Sequence, residues 1–299
     1  MNKSPVILVT GCGGQVGFEL QRALAPLGQV VAVDFPEFDL CDEARMAAVL
    51  ERVSPEVIVN PAAYTAVDKA EADSETAYTA NAKAPGFLAQ RAREMGALLV
   101  HYSTDYVYDG QKEGAYTEED TTGPLSVYGA SKLAGDQAII ASGCRHVIFR
   151  TTWVYGIHGN NFAKTMLRLA RDRSELRVVA DQWGVPTPAS LLADVTAHAV
   201  RSAIVHPELF QSGLYHLTPS GETTWFEYAR FVIEEARKRG MELKVEQITP
   251  IAATEFPTPA RRPVSSRLDT TKLRETYGLT LAGWETFLSH SMGLLMRNL

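Results

Sequence analysis

At 299 residues and 45% apolar composition, the chain is long enough to bury a substantial core and is sized for one long or two moderate domains. Its formal net charge of −6, pI near 5.7 and scattered basic residues exclude non-specific binding to nucleic acid or an anionic membrane surface. No apolar run approaches the roughly 18 to 20 residues of a membrane span, the opening MNKSPVILVTGCGG lacks a signal-peptide pattern, and Cys12, Cys41 and Cys144 have no metal or redox spacing, so a cytoplasmic protein with reduced thiols is expected.

The first predicted strand, PVILVT, runs into GCGGQVG and a helix predicted over 15–27, placing Gly11, Gly14 and Gly17 at G-x-x-G-x-x-G spacing between them. A glycine triplet alone marks only a tight turn. Between a strand and a helix it lets the backbone approach a pyrophosphate, which the helix's first amides attract. The second strand, VVAVD, ends on Asp34, whose carboxylate suits the adenosine ribose hydroxyls of NAD and repels a 2′-phosphate. That favours NADH, with a solvated strand-end acid as the plainer alternative and a nearby cation as the route to NADPH.

A helix over 42–53, the strand VIVN and a broken helical stretch over 68–95 precede the strand LLVHYS, after which Ser103 and Thr104 stand at the strand end. The helix expected over 127–142 carries Tyr128 and Lys132 in PLSVYGASKLAGD. Four residues apart, they share one helix face with Cβ atoms about 6 Å apart. Alone, that spacing is common on solvated faces. Here it follows a glycine-loop unit and a strand ending in Thr104, and ligands of parallel sheets bind outside the carboxyl ends of the strands, so Thr104 and Tyr128 converge on one crevice. A phenol working near neutral pH needs its pKa moved by about three units, or about 4 kcal/mol, part of which an adjacent ammonium supplies.

The strand HVIFRT and a helix over 161–173 complete the regular rhythm. Beyond residue 175, WGVPTPAS and EFPTPARRPVS separate helices over 189–206, 223–239 and 283–296. Buried β-branched strands alternating with helices predict an α/β fold, a doubly wound parallel sheet of the Rossmann kind. Residues 1–155 read as an NAD(P)-binding domain, with later segments adding to its sheet, and 156–299 as a smaller α+β region for substrate.

These residues resemble the extended short-chain dehydrogenase/reductase family, through the Gly11/Gly14/Gly17 loop, VNPAAYTAVDKAE, YSTDYVYDG, and Tyr128 with Lys132. Within it the chain is similar to enzymes acting on dTDP-linked 4-keto-6-deoxyhexoses, through GQVG, VYGASKLAG, FRTTWVYG, GNNFAKTMLRLA, DQWGVPT and PTPARRPVSSRL, nearly end to end. The resemblance implies reduction of the C4 ketone of dTDP-4-dehydro-L-rhamnose by NADH or NADPH, supplying dTDP-rhamnose for lipopolysaccharide and other cell-surface polysaccharide. It implies Thr104, Tyr128 and Lys132 as the catalytic set, with Tyr128 and Lys132 also at the cofactor, where Lys132 holds the nicotinamide ribose and lowers the tyrosine pKa. Gln15 and Val16 are implied at the cofactor diphosphate, Asp34, Asp39 and Leu40 around the adenosine, and Ala62, Ala63, Tyr64 and Ser103 along the rest of the cofactor's path. Thr104, Asp105, Tyr106, Trp153, Asn161, Gln182, Trp183 and Arg261 fall in segments implied to hold the nucleotide sugar. ARRPVSSR offers Arg261, Arg262 and Arg267 as cations for the diphosphate, with a solvated arginine loop as the plainer alternative; the resemblance favours Arg261, and core packing is an alternative for Trp183. Pro61 and Tyr64 depart from the Ala and His common in relatives, which bears on the Tyr64 contact. A homodimer is also implied. Mg2+ accompanies some relatives, but Ser190 stands where an acid is wanted beside Glu19, so no metal is assigned.

His101, His146, His158, His206, His216 and His290 share no metal spacing and read as satisfied or exposed side chains. Two rival functions stay open. A nucleotide-sugar dehydratase or epimerase is one; dehydration calls for a second acid where Asp105 is instead followed by Tyr106. The other is a non-catalytic regulatory subunit like that of methionine adenosyltransferase, which keeps the cofactor pocket without turnover.

Overall fold

The computed structural model describes residues 4–299. Its first half alternates β1 (Val6–Val9), α1 (Gln15–Leu24), β2 (Gln29–Ala32), α2 (Glu43–Val53) and β3 (Val57–Asn60). There follow α3 (Val67–Ala70), α4 (Ser74–Tyr78), a π-helical turn at Thr79–Lys83, α5 (Ala84–Met95), β4 (Leu98–Thr104), α6 (Val127–Ser142) and β5 (Arg145–Thr151). The second half is shorter-stepped: β6 (Val154–Tyr155), α7 (Phe162–Asp172), β7 (Glu175–Val179), β8 (Trp183–Gly184), β9 (Thr187–Pro188) and α8 (Ala189–Val205). It ends with β10 (Gly213–His216), β11 (Thr223–Thr224), α9 (Trp225–Lys238), β12 (Gln247–Ile251), α10 (Thr271–Tyr277) and α11 (Trp284–Arg297).

Six strands form one parallel sheet in the order β10-β5-β4-β3-β1-β2. The chain moves outward from β1 to β2, then reverses to β3 on the other side of β1. That reversal opens a crevice at the carboxyl ends of the strands. Ile7, Leu8, Val9, Ile58, Val59 and Leu99 are fully or almost fully buried, as strands covered on both faces require. One face packs on α1 and α8 through Leu20, Leu24, Leu192 and Val200; the other packs on α2, α5 and α6 through Leu50, Leu88 and Ile139. A third core joins α7, α9 and α11 through Leu167, Val232 and Leu288 beside the sheet.

The helical stretch expected over 68–95 is broken twice, at residues 71–73 and by the π turn. That wider turn turns Asn81 inward, where its amide clamps both backbone groups of Tyr64 and reaches Ser131 Oγ. Local signals end the other helices: Ser126, Asn161 and Thr224 cap the starts of α6, α7 and α9, and Gly143 closes α6 in the left-handed conformation.

Candidate active site

Gly11 has φ +54°, where a side chain is strained, and a Cβ there would press on Ala62 at 3.0 Å. A Cβ on Gly17 would stand 2.1 Å from the Gly11 carbonyl oxygen, so only glycine lets α1 seat against the turn. The N-cap of α1 is Gly14, which offers no side-chain cap. The first amides of the helix, at its positive end, are thereby left for an anion. Asp34 accepts hydrogen bonds from the Gly13 amide at 2.6 Å and the Phe35 amide at 2.8 Å. The same carboxylate that braces the loop also stands at the cleft.

The cleft holds about 830 Å³ at the carboxyl ends of the sheet strands. Gly11, Gly14, Gln15, Val16 and Gly17 line it from the first turn, and Asp34, Asp39 and Leu40 from the segment after β2. Ala62, Ala63 and Tyr64 follow β3; Ser103, Thr104, Asp105 and Tyr106 lie at the end of β4; Tyr128 and Lys132 reach in from α6, and Trp153 from beyond β5. A nucleotide with an anionic linker fits this lining. The glycine cradle has no side chain in the way, the uncapped helix start suits a diphosphate, and the Asp34 carboxylate lines the same cleft as a hydrogen-bond acceptor.

Thr104 ends β4, its hydroxyl donating to Asp105 Oδ1 at 3.1 Å and accepting from the Tyr106 amide at 3.2 Å. Gly129 brings the start of α6 against this turn, since a Cβ there would meet the Tyr106 carbonyl oxygen at 2.2 Å. That approach sets Tyr128 beside Thr104, with the Tyr106 ring edge-on at 5.7 Å. Lys132 is buried; its Nζ donates to the Tyr102 carbonyl oxygen at 2.6 Å and lies 3.1 Å from His101 Nε2.

Desolvation lowers the Lys132 pKa to about 8, against the pull of the Asp136 carboxylate. Desolvation also raises the Tyr128 pKa above the ordinary phenol value, with the Thr104 hydroxyl opposing. The direction corrects the sequence argument, which has Lys132 lowering the phenol's pKa. Burial is the dominant cause, and the lysine's Nζ is turned to the Tyr102 carbonyl and to His101. A protonated phenol at neutral pH is a proton donor, which is the role a ketone reduction requires.

Asp105 is buried, and desolvation raises its carboxyl to a pKa of about 6, with the Ser266 and Thr104 hydroxyls opposing. A carboxyl with its folded-state pKa above the unfolded value contributes stability below the unfolded pKa and loses it as pH rises through about 6. Asp105→Asn is therefore expected to exceed wild type in stability by about 2 kcal/mol near neutral pH. The gain should shrink as pH falls from about 6 towards 4. Urea unfolding across that window checks it, and a gain that does not change with pH refutes it.

Gln182 lines a second, more apolar cavity of about 660 Å³ between α7, β7 and β12. Asn161, Trp183 and Arg261 line neither cavity. Asn161 caps α7 and donates to Gln15 Oε1 and the Gly156 carbonyl; Trp183 lies under the Arg267 guanidinium, and Arg261 is exposed. Among the described residues no group of three or more His, Cys, Asp or Glu is placed to hold a metal ion. No helix among them is long and apolar enough to cross a membrane.

The sequence model described as the RmlD substrate binding domain matches residues 5–296. The chain belongs to the RmlD substrate binding domain family. A dTDP-4-dehydrorhamnose reductase of Escherichia coli (strain K12) is 50% identical over 283 residues, covering 93% of this chain and 94% of its own. The crystal structure of a dTDP-4-dehydrorhamnose reductase from Clostridium acetobutylicum superposes with TM-score 0.89 at 36% identity, over 97% of this chain and 99% of that one. That of a dTDP-4-dehydrorhamnose reductase from Bacillus anthracis, in complex with NADP, gives TM-score 0.87 at 34% identity, over 96% and 98%.

Two residues of this RmlD-family chain join the site from segments the sequence flagged, TTWFEYA and ARRPVSSR, without having been assigned to it. Trp225, at the start of α9, lines both cavities and stacks on Trp153 at 3.6 Å. Trp153 holds φ +45°, a strained value for tryptophan, and a Cβ on Gly184 would lie 2.5 Å from its indole. Arg262, the neighbour of Arg261, lines the second cavity and pairs with Asp68 at 2.9 Å. Adjacent arginines in an irregular segment give no periodicity from which to tell which one turns inward.

Proposed function

We propose that this chain reduces the C4 ketone of dTDP-4-dehydro-L-rhamnose to dTDP-L-rhamnose with NADH or NADPH. The observation that carries the reading is the meeting of Thr104, Tyr128 and Lys132 at the sheet's carboxyl end, in the same cleft as the Gly11–Gly17 loop. Family membership and the dTDP-4-dehydrorhamnose reductase relatives at 50% and 46% identity support the substrate. In this reading residues 1–155 bind mainly the dinucleotide and 156–299 mainly the sugar nucleotide.

A bound reduced nicotinamide supplies the hydride. Gly11, Gly14, Gln15, Val16 and Gly17 hold its diphosphate, Asp34, Asp39 and Leu40 its adenosine half, and Ala62, Ala63, Tyr64 and Ser103 the remaining path. Thr104 donates a hydrogen bond to the developing alkoxide, and Tyr128 donates a second and then its proton. Lys132 would hold the nicotinamide ribose beside the phenol. Asp105, Tyr106 and Trp153 face the sugar. Since Tyr106 is no carboxylate, dehydration lacks its second acid, and simple reduction fits the residues better.

Initial rates with dTDP-4-dehydro-L-rhamnose and each nicotinamide test the reading. Loss of absorbance at the reduced-nicotinamide band is expected; a chain that binds nucleotide but turns nothing over supports the regulatory-subunit alternative. Asp34→Ala is expected to weaken NADH by about tenfold, the scale of one or two charge-assisted hydrogen bonds, and NADPH by less, since a repulsion is removed as well. Isothermal titration with both nucleotides checks it, and equal losses for the two overturn the ribose assignment.

A further inference from the structure

The mechanism leaves a buried polar chain unused. Thr10 just past β1, Asn60 at the end of β3 and His101 in β4 sit on three adjacent strands, with Asn60 and His101 paired in register. Thr10 Oγ1 lies 2.6 Å from Asn60 Oδ1, Asn60 Nδ2 3.1 Å from His101 Nδ1, and His101 Nε2 3.1 Å from Lys132 Nζ. None of the four residues is more than 2% exposed. Burial and the lysine beside it push the His101 pKa well below the usual value, so the ring is neutral and has one donor and one acceptor nitrogen. The other charged groups that bear on Lys132 are Asp136 on its own helix and, through Asp136, Arg150 of β5, which binds that carboxylate at 3.1 Å. The adjoining cleft is also lined by the titratable side chains of Tyr102, Asp105, Tyr106 and Tyr128 near the lysine and, further along, by those of Asp34, Asp39, Cys41 and Tyr64.

An ammonium has no lone pair, so beside charged Lys132 the Nε2 atom must accept. The ring proton then sits on Nδ1, the Asn60 amide turns its oxygen to Nδ1, and its NH2 group faces Thr10. Beside a neutral amine every bond reverses: Thr10 donates to Asn60 Oδ1, Asn60 Nδ2 donates to Nδ1, and Nε2–H donates to Nζ. The chain closes in both cases, and the Tyr102 carbonyl accepts from Nζ throughout. A buried amine without such a partner would carry an unmet polar group through half of its titration.

We propose that His101 is a positioning residue for Lys132, and that the Thr10–Asn60–His101 chain keeps the lysine hydrogen-bonded in the cleft whether it is an ammonium or an amine. This rests on the reductase reading for its catalytic consequence, but the coupling itself does not. Nitrogen NMR of the histidines in the wild-type protein, from about pH 6 to the ordinary lysine pKa near 10.4, reports which ring nitrogen carries the proton. His101 is expected to pass from Nδ1–H to Nε2–H as Lys132 titrates, and Lys132→Met is expected to abolish the change. A fixed tautomer, or a change that survives Lys132→Met, overturns the proposal.

In rates, His101→Leu is expected to lower kcat by about 10²-fold through misplacement of Lys132, with KM for the sugar nucleotide nearly unchanged and the alkaline limb of the pH profile moved. His101→Gln, whose amide can accept or donate, should recover part of the loss. Equal losses in both variants with an unmoved pH profile mean a merely structural histidine, and a fully active His101→Leu refutes the positioning. A wild type that shows the tautomer change but no turnover supports the chain and counts against the reductase reading instead.

Discussion

Tyr128→Phe is expected to lower kcat by about 10²- to 10⁴-fold, the range for removing a general acid, while cofactor affinity and fold stay as they are. The phenylalanine ring keeps the edge contact with Tyr106 and the seat of α6 against the turn after Thr104, so only the proton and one hydrogen bond to the alkoxide go. Steady-state rates alongside nucleotide titration check it. Because burial holds the phenol protonated, the wild-type reduction rate should show no loss caused by Tyr128 ionisation below the ordinary phenol pKa of about 10. A Tyr128→Phe enzyme within a few-fold of wild type would remove the phenol from the mechanism and leave Thr104 as the donor.

The second large effect concerns stability. Arg150 and Asp136 form an ion pair at 3.1 Å with side chains only 5% and 1% exposed. Ser103 Oγ also donates to Asp136, and Arg150 Nη1 donates to the Tyr108 hydroxyl, itself 2.8 Å from His216 Nε2. Arg150→Met strands the carboxylate in the core, and breaking such a pair costs about 3–5 kcal/mol, or a thermal midpoint lower by roughly 10 °C in a protein of this size. The double variant Arg150→Met/Asp136→Leu should regain much of that, since two apolar side chains leave no buried charge. Calorimetry of the single and double variants decides it; a double variant as unstable as the single one would show that the network contributes more than the pair.

Both the frame of this molecule and the core of its candidate site were legible because they are carried by local signals. β1 to β5 announced themselves as apolar runs, and the glycine loop and the Tyr128–Lys132 spacing are contiguous motifs tied to a strand end. β10 was not legible: Gly213–His216 is four residues without an apolar run, and it is a strand only because β5 offers it an edge. β7 and β12 hid for the same reason, pairing over a separation of about seventy residues, with Pro250 inside the second. At the site, His101 read as an ordinary satisfied histidine. Its meaning comes from partners at Asn60 and Lys132, 41 and 31 residues away, which only sheet register and the packing of α6 bring to the ring. The Trp225 stack on Trp153 is likewise a contact between distant segments with no spacing to reveal it.

The outermost position of the sheet is filled from far down the chain, by β10 beside β5, and α8 lies across α1. A ribosome making this protein therefore releases every catalytic side chain well before the residues that finish the scaffold beneath them. Until Ala189–Val205 emerges, the nascent polypeptide carries α1 with an uncovered greasy flank, and until Gly213–His216 follows it carries β5 with a bare backbone ladder, a state that invites chaperones or a neighbouring nascent chain.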